Sequence, residues 1–405
     1  MPVTVQEALG EIEAPIFQTT AFGYDTAEEM ADVFAGRSAG HVYTRLSNPT
    51  TLALERRLAA AERGIGALAT SSGMAAIAVT ALGLLRPGDE ILAAKGIFGG
   101  SVSFFRNVLG RLNIRAIFVD GSDTAQVAAA VTSKTRMIFV ETIGNPRMDV
   151  PDLPALGALA HDRNIPLIVD NTVTTPELVK PGEHGAAVVI HSTSKFINGH
   201  GTAIGGALVD TGKFDWSRGP FEDIVGIARK AGAYAFLAHL RTVIARDLGA
   251  CPAPGSSFLM LHGLDTLPLR LKTHVENAKA LAHELAEDNR VAAVGYPGLP
   301  GSPYFARVQR LFGGRAGAIL TLHLGNRPKA FAFINALKNA RRVANLGETR
   351  TLVIHPASTI FREYPYEDRL SLGVPDHMVR VSVGLEDFST ILSDFQQALA
   401  VADKE

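Results

Sequence analysis

Short apolar runs alternate with helical stretches through the middle of the chain. The apolar runs, each of the length of a buried strand, lie at Glu90–Ala94, Arg115–Val119, Met137–Glu141, Pro166–Asp170, Ala186–Ile190 and Gly205–Asp210. The stretches between them show helical spacing of apolar positions, as in Leu153–Arg163. Strands that alternate with helices pair in parallel and carry helices on both faces of the sheet. The pattern therefore predicts an α/β domain whose functional residues collect at the carboxyl ends of its strands.

Two further segments precede these strands. Residues 51–63 have the spacing of a helix that Gly64 ends, and Ala67–Ile77 predicts a short strand that turns through serine and glycine into an alanine-rich helix. Free backbone N–H groups at the start of that helix suit a phosphate. An ordinary helix cap explains the same residues, and the pattern alone does not decide between the two.

The pattern changes after residue 248. Gly249, Pro252, Pro254 and Gly255 crowd together, which is typical of a domain boundary. The elements predicted beyond it are a helix over Ser256–Glu287 interrupted at Pro268, strands over Gly317–Leu324 and Met378–Val383, and helices over Pro328–Arg341 and Glu386–Ala402. We therefore expect a larger α/β domain over residues 51–248 and a smaller α+β domain over residues 249–405.

The first 50 residues lack strong periodicity. A segment of this kind gains little from a core of its own, so we expect residues 1–50 to form an arm that packs on a neighbouring subunit.

Composition narrows the class of protein. The chain has 405 residues, 47% of them hydrophobic, and its net charge of -1 comes from 39 basic and 40 acidic residues without a long basic run. Nucleic acid and anionic membranes are therefore not expected as partners. A single cysteine, Cys251, forms no intrachain disulfide, and no apolar run approaches the roughly 20 residues that span a bilayer. We expect a cytoplasmic protein.

The most reactive candidate is Lys195, which follows the apolar run that ends at Ile190. Ser192 and Ser194 stand two residues apart just before it and would face one side of an extended backbone, where they could hold an anion. A lysine in an apolar site has a lowered amine pKa and attacks carbonyl groups to form a Schiff base, the link by which pyridoxal phosphate (PLP) is held. A solvated lysine at a strand end is the alternative.

Three other predicted strand ends carry candidate ligand contacts. Asp170 is either a turn carboxylate or the partner of a pyridinium nitrogen. Asn145 could hydrogen-bond a ring hydroxyl. Phe98, next to Gly99 and Gly100, is either a core aromatic or a residue that stacks on a flat ligand.

Taken together, these motifs resemble the PLP-dependent enzymes of cysteine and methionine metabolism, the cystathionine γ-synthase-like family, and they match it in order over nearly the whole chain. The resemblance implies the PLP-dependent transferase fold of the aspartate aminotransferase type (fold type I). It also implies PLP as cofactor, no metal, and a homotetramer built from catalytic dimers.

The resemblance assigns a role to each candidate. Lys195 would carry PLP, with Asp170 at the pyridine nitrogen, Phe98 stacked on the ring and Asn145 beside it. The phosphate contacts that the family implies are Gly73, Met74, Ser192 and Ser194, completed by Tyr43 and Arg45 from the neighbouring subunit's arm. Arg380, in the segment Arg380–Glu386, would bind the substrate α-carboxylate, and Asn345 would lie next to it.

Within this family, residues 196–206 and 345–359 look most like the O-acetylhomoserine sulfhydrylase branch. This implies a PLP-dependent transferase of methionine biosynthesis that replaces the acyloxy group of an O-acylhomoserine with sulfide, supplied free or by a sulfur-carrier protein. The alternatives are a methionine γ-lyase or cystathionine lyase, and an O-succinylhomoserine sulfhydrylase. Two positions depart from the family pattern: Phe98 stands where tyrosine is usual, and Phe361 where histidine is usual.

Overall fold

Two β-sheets organise the chain in the computed structural model, which describes residues 13–405. The larger sheet consists, within those residues, of β1 (Gly66–Thr70), β2 (Glu90–Ala94), β3 (Arg115–Val119), β4 (Thr135–Glu141), β5 (Leu167–Asp170), β6 (Val188–His191) and β7 (Gly206–Asp210). Its strand order is β1-β7-β6-β5-β4-β2-β3. All neighbours pair in parallel except β7, which runs antiparallel to both β6 and β1. The predicted, mostly parallel α/β sheet is confirmed.

The other main elements of the described residues are α-helices and a second sheet. The helices are α1 (Ala27–Phe34), α2 (Pro49–Glu62), α3 (Gly73–Leu84), α4 (Gly99–Ser103), α5 (Thr124–Ala130), α6 (Leu153–Asp162), α7 (Thr175–Leu178), α8 (Glu222–Ala231), α9 (Ala235–His239), α10 (Arg246–Leu248), α11 (Pro254–Glu287), α12 (Phe305–Phe312), α13 (Arg327–Ala336), α14 (Tyr366–Ser371) and α15 (Phe388–Ala402). The second sheet has the strands β8 (Ala293–Gly295), β9 (Ile319–His323), β10 (Arg341–Arg342), β11 (Leu352–Ile354) and β12 (Met378–Ser382), in the order β10-β11-β12-β9-β8.

The core lies between the large sheet and its helices. Every residue of β2, β6 and β7 is buried, as expected for strands covered on both faces. Each buried valine, leucine or isoleucine of this kind stabilises the fold by about 1.5–3 kcal/mol. The buried apolar runs that predicted the strands therefore help to hold their carboxyl ends, and the site, in place.

Pro268 does not interrupt its helix, contrary to the sequence expectation. Helix α11 continues from Pro254 to Glu287 with Pro268 inside it. A proline within a helix loses one backbone hydrogen bond and costs about 3 kcal/mol. This helix buries an apolar side along its whole length, with Leu264, Leu271 and Leu281 among the covered residues, and tertiary packing outweighs the local preference.

The helix predicted over Pro328–Arg341 is also too long. Helix α13 ends at Ala336 because the next backbone N–H groups bind a side chain instead of continuing the helix. The amides of Lys338, Asn339 and Ala340 donate to the Asp394 carboxylate at 2.8–3.0 Å. Arg341 then belongs to the short strand β10.

Candidate active site

One cavity lies at the carboxyl ends of β4, β5 and β6, between the two sheets. Including its open mouth it encloses about 760 Å³. Nine of the residues predicted from the sequence line it: Gly73, Met74, Phe98, Asn145, Asp170, Ser192, Lys195, Asn345 and Arg380. Parallel strands bring residues that are far apart in sequence to one edge of a sheet, so this convergence follows from the topology.

Lys195 emerges from the turn that follows β6 and is only partly exposed to solvent. Its Nζ donates a hydrogen bond to Oδ1 of Asn345. Burial, and after it the positive charge of Arg380, lower the pKa of its amine to about 8, while Glu348 opposes the shift. A lysine in this state has a substantial neutral fraction near neutral pH and is ready to act as a nucleophile.

Asp170 ends β5 and is nearly buried. Its Oδ1 accepts the amide N–H of Thr172 at 2.9 Å, and the Thr172 hydroxyl accepts the amide N–H of Ser192 at 2.8 Å. Burial raises the pKa of the Asp170 carboxyl above its ordinary value. A positively charged group beside the carboxylate would offset that cost of burial, which is what a pyridinium nitrogen would do.

Arg380 points into the cavity from the central strand of the smaller sheet. The side chain is buried, with only 4% of the residue exposed. One guanidinium nitrogen donates to Oδ1 of Asn145 at 3.2 Å and another to the backbone oxygen of Asn345 at 2.9 Å, while Nε has no partner within the described residues. Burial lowers the pKa of Arg380 to about 10. A buried cation that lacks a carboxylate partner fits an anionic ligand.

The start of α3 forms the other end of the cavity. Ser72 caps the helix: its hydroxyl accepts the amide of Ala75 at 3.1 Å and its carbonyl that of Ala76 at 3.0 Å. The amides of Gly73 and Met74 donate to no group within residues 13–405. A Cβ atom at Gly73 would lie 2.6 Å from Cβ of Ser192, so only glycine lets this helix end approach the serine. The arrangement fits a phosphate group.

Ser194 does not face the cavity with Ser192, contrary to the expectation from an extended backbone. The chain turns directly after Ser192, and the Ser194 hydroxyl donates to the backbone oxygen of Gly205 at 3.0 Å and accepts its amide at 2.9 Å. The single hydroxyl proton is therefore used within the fold. A phosphate contact from Ser194 stays a prediction that this arrangement does not support.

Tyr43 and Arg45 also lie outside this chain's own cavity. Both are exposed, and Arg45 donates to the backbone oxygen of Arg246 at 2.6 Å, with its guanidinium 5.4 Å from the centre of the Tyr43 ring. Of the predicted arm, residues 1–12 lie outside the described residues. Neither side chain contributes to the cavity of the chain that carries it.

Phe98 lies at the cavity, so it is not a core aromatic. It is 37% exposed, and its backbone N–H donates to Oε1 of Glu141 at 2.7 Å. A Cβ atom at Gly100 would lie 2.5 Å from the Phe98 ring, so the glycine makes room for the ring. Phe361, in contrast, is buried beside Gly99, and its neighbour Ile360 lines the cavity.

Three polar residues at the site were missed in the sequence analysis. Glu141 lines the cavity opposite Asp170 in the register of β4 and β5. Burial, and after it the Asp170 carboxyl, raise the pKa of Glu141 well above its usual range. Ser101 presents a buried hydroxyl without a partner among the described residues, and Glu348 binds Asn345. The position of Glu141 at a strand end was the one available signal.

Residues 13–405 contain no group of three or more histidine, cysteine, aspartate or glutamate side chains placed to hold a metal ion. Within the same residues, no helix combines the length and the apolar character needed to cross a membrane.

These features define a class of protein. Residues 3–400 match the Cys/Met metabolism PLP-dependent enzyme family, and the chain belongs to it. The free amides at Gly73 and Met74, the buried carboxyl of Asp170 and the nucleophilic Lys195 fit the PLP on which that family depends.

The relatives are more specific. The chain is 40% identical to an O-acetyl-L-homoserine sulfhydrylase of Thermus thermophilus, over 96% of this chain and 95% of the relative. It is 38% identical to a homocysteine synthase of Schizosaccharomyces pombe, over 96% and 94%.

Solved structures agree on the fold. A Campylobacter jejuni protein, provisionally assigned as an O-acetylhomoserine (thiol)-lyase and containing N′-pyridoxyl-lysine-5′-monophosphate, matches with a TM-score of 0.89 and 30% identity over 96% of each chain. A cystathionine γ-synthase of Xanthomonas oryzae matches with a TM-score of 0.87 and 30% identity, over 99% of this chain and 96% of that one. The expected PLP-dependent transferase fold is confirmed.

Proposed function

We propose that this protein replaces the acyloxy group of an O-acylhomoserine, O-acetylhomoserine first, with sulfide to give homocysteine in methionine biosynthesis. The observation that most supports this proposal is the convergence of Lys195, Asp170 and Arg380 on one cavity. Relatives at 36–40% identity over nearly the whole chain carry the names of O-acetyl-L-homoserine sulfhydrylase and homocysteine synthase.

Each side chain has a distinct task in this reaction. Arg380 binds the α-carboxylate of the amino acid, and Asn145 and Asn345 orient the guanidinium through the bonds they make with it. Lys195 takes the proton from Cα of the substrate. Asp170 holds a proton on the ring nitrogen of the cofactor. Lys195 would hold PLP, with Gly73, Met74 and Ser192 at its phosphate, and the bound cofactor would supply a ring that accepts electrons from the substrate carbon.

The charge of the cavity favours an acetyl leaving group. Among the described residues that line it, Lys195 and Arg380 are the only cationic side chains, and both have tasks with the cofactor or the α-carboxylate. A succinyl or phosphoryl group brings additional negative charge, and burying that charge without a partner is costly. An acetyl group is neutral and suits walls formed by Ile77, Val173 and Ile360.

The remaining expectations belong to the same proposal. The protein would act in the cytoplasm as a homotetramer of catalytic dimers, in which the arm's Tyr43 and Arg45 complete the phosphate site of the neighbouring subunit. Their exposed positions leave Tyr43 and Arg45 free to reach a second subunit. Sulfide would arrive free or from a sulfur-carrier protein. Residues 51–248 and 249–405 would form the two domains.

Two measurements test the proposal. Purified protein should absorb in the visible through the Lys195-linked cofactor, and Lys195→Ala should abolish the borohydride-reducible linkage. A colourless protein that PLP does not reconstitute would contradict it. O-Acetyl-, O-succinyl- and O-phosphohomoserine should then be compared with sulfide as acceptor, and the acetyl ester should give the largest kcat/KM.

A C–S lyase is the competing function. A lyase acting on methionine or cystathionine releases ammonia and an oxo acid, whereas a sulfhydrylase retains the amino group. Release of ammonia from cystathionine or methionine at a rate above that of homocysteine formation from O-acetylhomoserine and sulfide would favour the lyase.

A further inference from the structure

Glu348 belongs to a hydrogen-bonded chain that ends on Lys195, and the proposed reaction gives it no task. The Lys195 amine donates to Oδ1 of Asn345, and Nδ2 of Asn345 donates to Oε1 of Glu348 at 2.6 Å. Glu348 is half-buried and does not line the cavity itself. It therefore touches Lys195 only through the amide between them.

The chemistry of the three groups allows one orientation of the amide. Asn345 has one oxygen that accepts and one NH₂ group that donates, and an ionised Glu348 only accepts. The carboxylate therefore takes Nδ2 and leaves the oxygen for Lys195. In the flipped orientation the amide oxygen would face the carboxylate, which is repulsive, and the NH₂ group would face the lysine amine, which cannot accept a hydrogen bond when it is protonated.

The surrounding backbone holds Glu348 in this place. Gly347 has a φ of +75° and lies so close to the lysine turn that a Cβ atom there would be 2.6 Å from the amide nitrogen of Phe196. Gly201 has a φ of +66°, and a Cβ atom on it would lie 2.7 Å from Oε1 of Glu348. The amide of Thr349 donates to the oxygen of Gly199 at 3.0 Å. Two loops are thus fitted together around the carboxylate.

Charge supports the same assignment. Lys195 is flanked by Arg380 from β12 and by Glu348 from the facing loop, with opposite effects: Arg380 lowers and Glu348 raises the pKa of the amine, both after the larger effect of burial. Arg380 is tied to the same asparagine through its backbone oxygen at 2.9 Å. Asn345 is therefore the point at which the carboxylate-binding arginine and the lysine meet.

We propose that Glu348 is a positioning residue for Lys195, which fixes the Asn345 amide with its oxygen toward the amine so that the lysine, once freed from the cofactor, is held in one place during turnover. The inference rests on the proposed function in that Lys195 must be the residue that carries PLP and moves the proton at Cα. It adds a determinant of rate, and it leaves substrate binding to Arg380.

The test compares Glu348→Gln, Glu348→Ala and Glu348→Asp as holoenzymes, with Glu363→Gln as a matched control because that glutamate is highly exposed and pairs only with Arg362 among the described residues. For each protein, the visible band is titrated with pH, and kcat and KM are measured for O-acetylhomoserine. Thermal midpoints are recorded alongside, to separate a loss of fold from a loss of positioning.

Removal of the negative charge should lower the pH midpoint of the visible band, because a nearby anion favours the protonated lysine nitrogen. We expect a decrease of about half a pH unit or more in both Glu348→Gln and Glu348→Ala. Glu348→Ala should also lower kcat by about tenfold with KM changed by less than about threefold, since it frees the amide to rotate. Glu348→Asp should keep the midpoint near that of the wild type.

Asn345→Asp supplies a second variant with the opposite sign. A carboxylate facing Lys195 directly should raise the midpoint. Two results would overturn the role of Glu348. The first is a Glu348→Ala protein whose pH midpoint and kcat are unchanged. The second is a thermal destabilisation that Glu348→Asp shares, with KM rising as kcat falls. A wild-type protein without a visible band would instead contradict the proposed function itself.

Discussion

Two pairs of residues were assigned to the cofactor or the substrate, and the fold treats them in opposite ways. Lys195 and Arg380 are withdrawn from solvent inside the cavity, where burial lowers the pKa of both. Tyr43 and Arg45 lie exposed, and Arg45 donates to a backbone oxygen of its own chain. Little water reaches the inner pair to screen its charges, so its electrostatic interactions with a ligand are strong. The outer pair acquires such properties only if a second chain covers it.

The largest effect is expected at the inner pair, from Arg380→Leu. This change removes the buried cation that we propose as the ligand of the α-carboxylate, and it leaves Oδ1 of Asn145 without its donor. We expect kcat/KM to fall by about a thousandfold or more, mostly through KM. Arg380→Lys is the control, because it keeps the charge without the forked geometry and should recover only part of the loss. Unchanged kinetics in Arg380→Leu would exclude it from the substrate site.

The reactivity of Lys195 should follow its lowered pKa. With a pKa of about 8 the neutral amine becomes the main form once the pH exceeds that value, whereas an ordinary lysine stays protonated until about pH 10.4. The rate at which PLP reconstitutes the cofactor-free protein should therefore rise with pH up to about 8 and then level off. At pH 7 the neutral fraction should exceed that of an ordinary lysine by roughly 200-fold. The pH dependence of labelling of the exposed Lys272 by an amine-reactive reagent provides the comparison. A reconstitution rate that rises steadily to pH 10 would contradict the prediction.

The outer pair is tested by mixing subunits. Arg45→Ala should lower activity by about tenfold or more through weaker phosphate binding, and Lys195→Ala should be inactive. If the arm completes the neighbouring subunit's site, mixtures of the two variants assemble some sites with both residues intact and regain activity. No recovery in mixtures, together with a monomer by light scattering, would place the phosphate contacts within one chain and remove the contrast between the two pairs.

The smallest effects are expected at Phe98. Loss of the aromatic face in Phe98→Leu should weaken cofactor binding and reduce turnover. Phe98→Tyr keeps the ring and adds a hydroxyl group that has no task in the proposed reaction, so we expect turnover to change by less than about tenfold. The visible spectrum and the PLP content report on the first effect. A Phe98→Leu protein with unchanged spectrum and turnover would show that the ring does not stack on the cofactor.

Much of the fold follows from local patterns. The large sheet was predictable because its strands are short apolar runs, and those of β2, β6 and β7 are buried throughout, as residues covered on both faces of a sheet must be. The errors arose where distant groups override local preference. Pro268 stays within its helix because tertiary packing covers that helix, and α13 stops early because Asp394, far along the chain, takes the next three amides.

The sequence by itself determined which residues are the candidates for the chemistry: Lys195, Asp170 and Arg380 stand in recognisable motifs or at strand ends, and all three line the cavity. Only the tertiary structure decided how they are tuned. It placed Glu141 opposite Asp170 and Glu348 behind Asn345, and it turned Ser194 toward Gly205. The partners of these side chains lie in loops that are far apart in sequence. A local pattern of apolar and polar positions does not predict such long-range contacts.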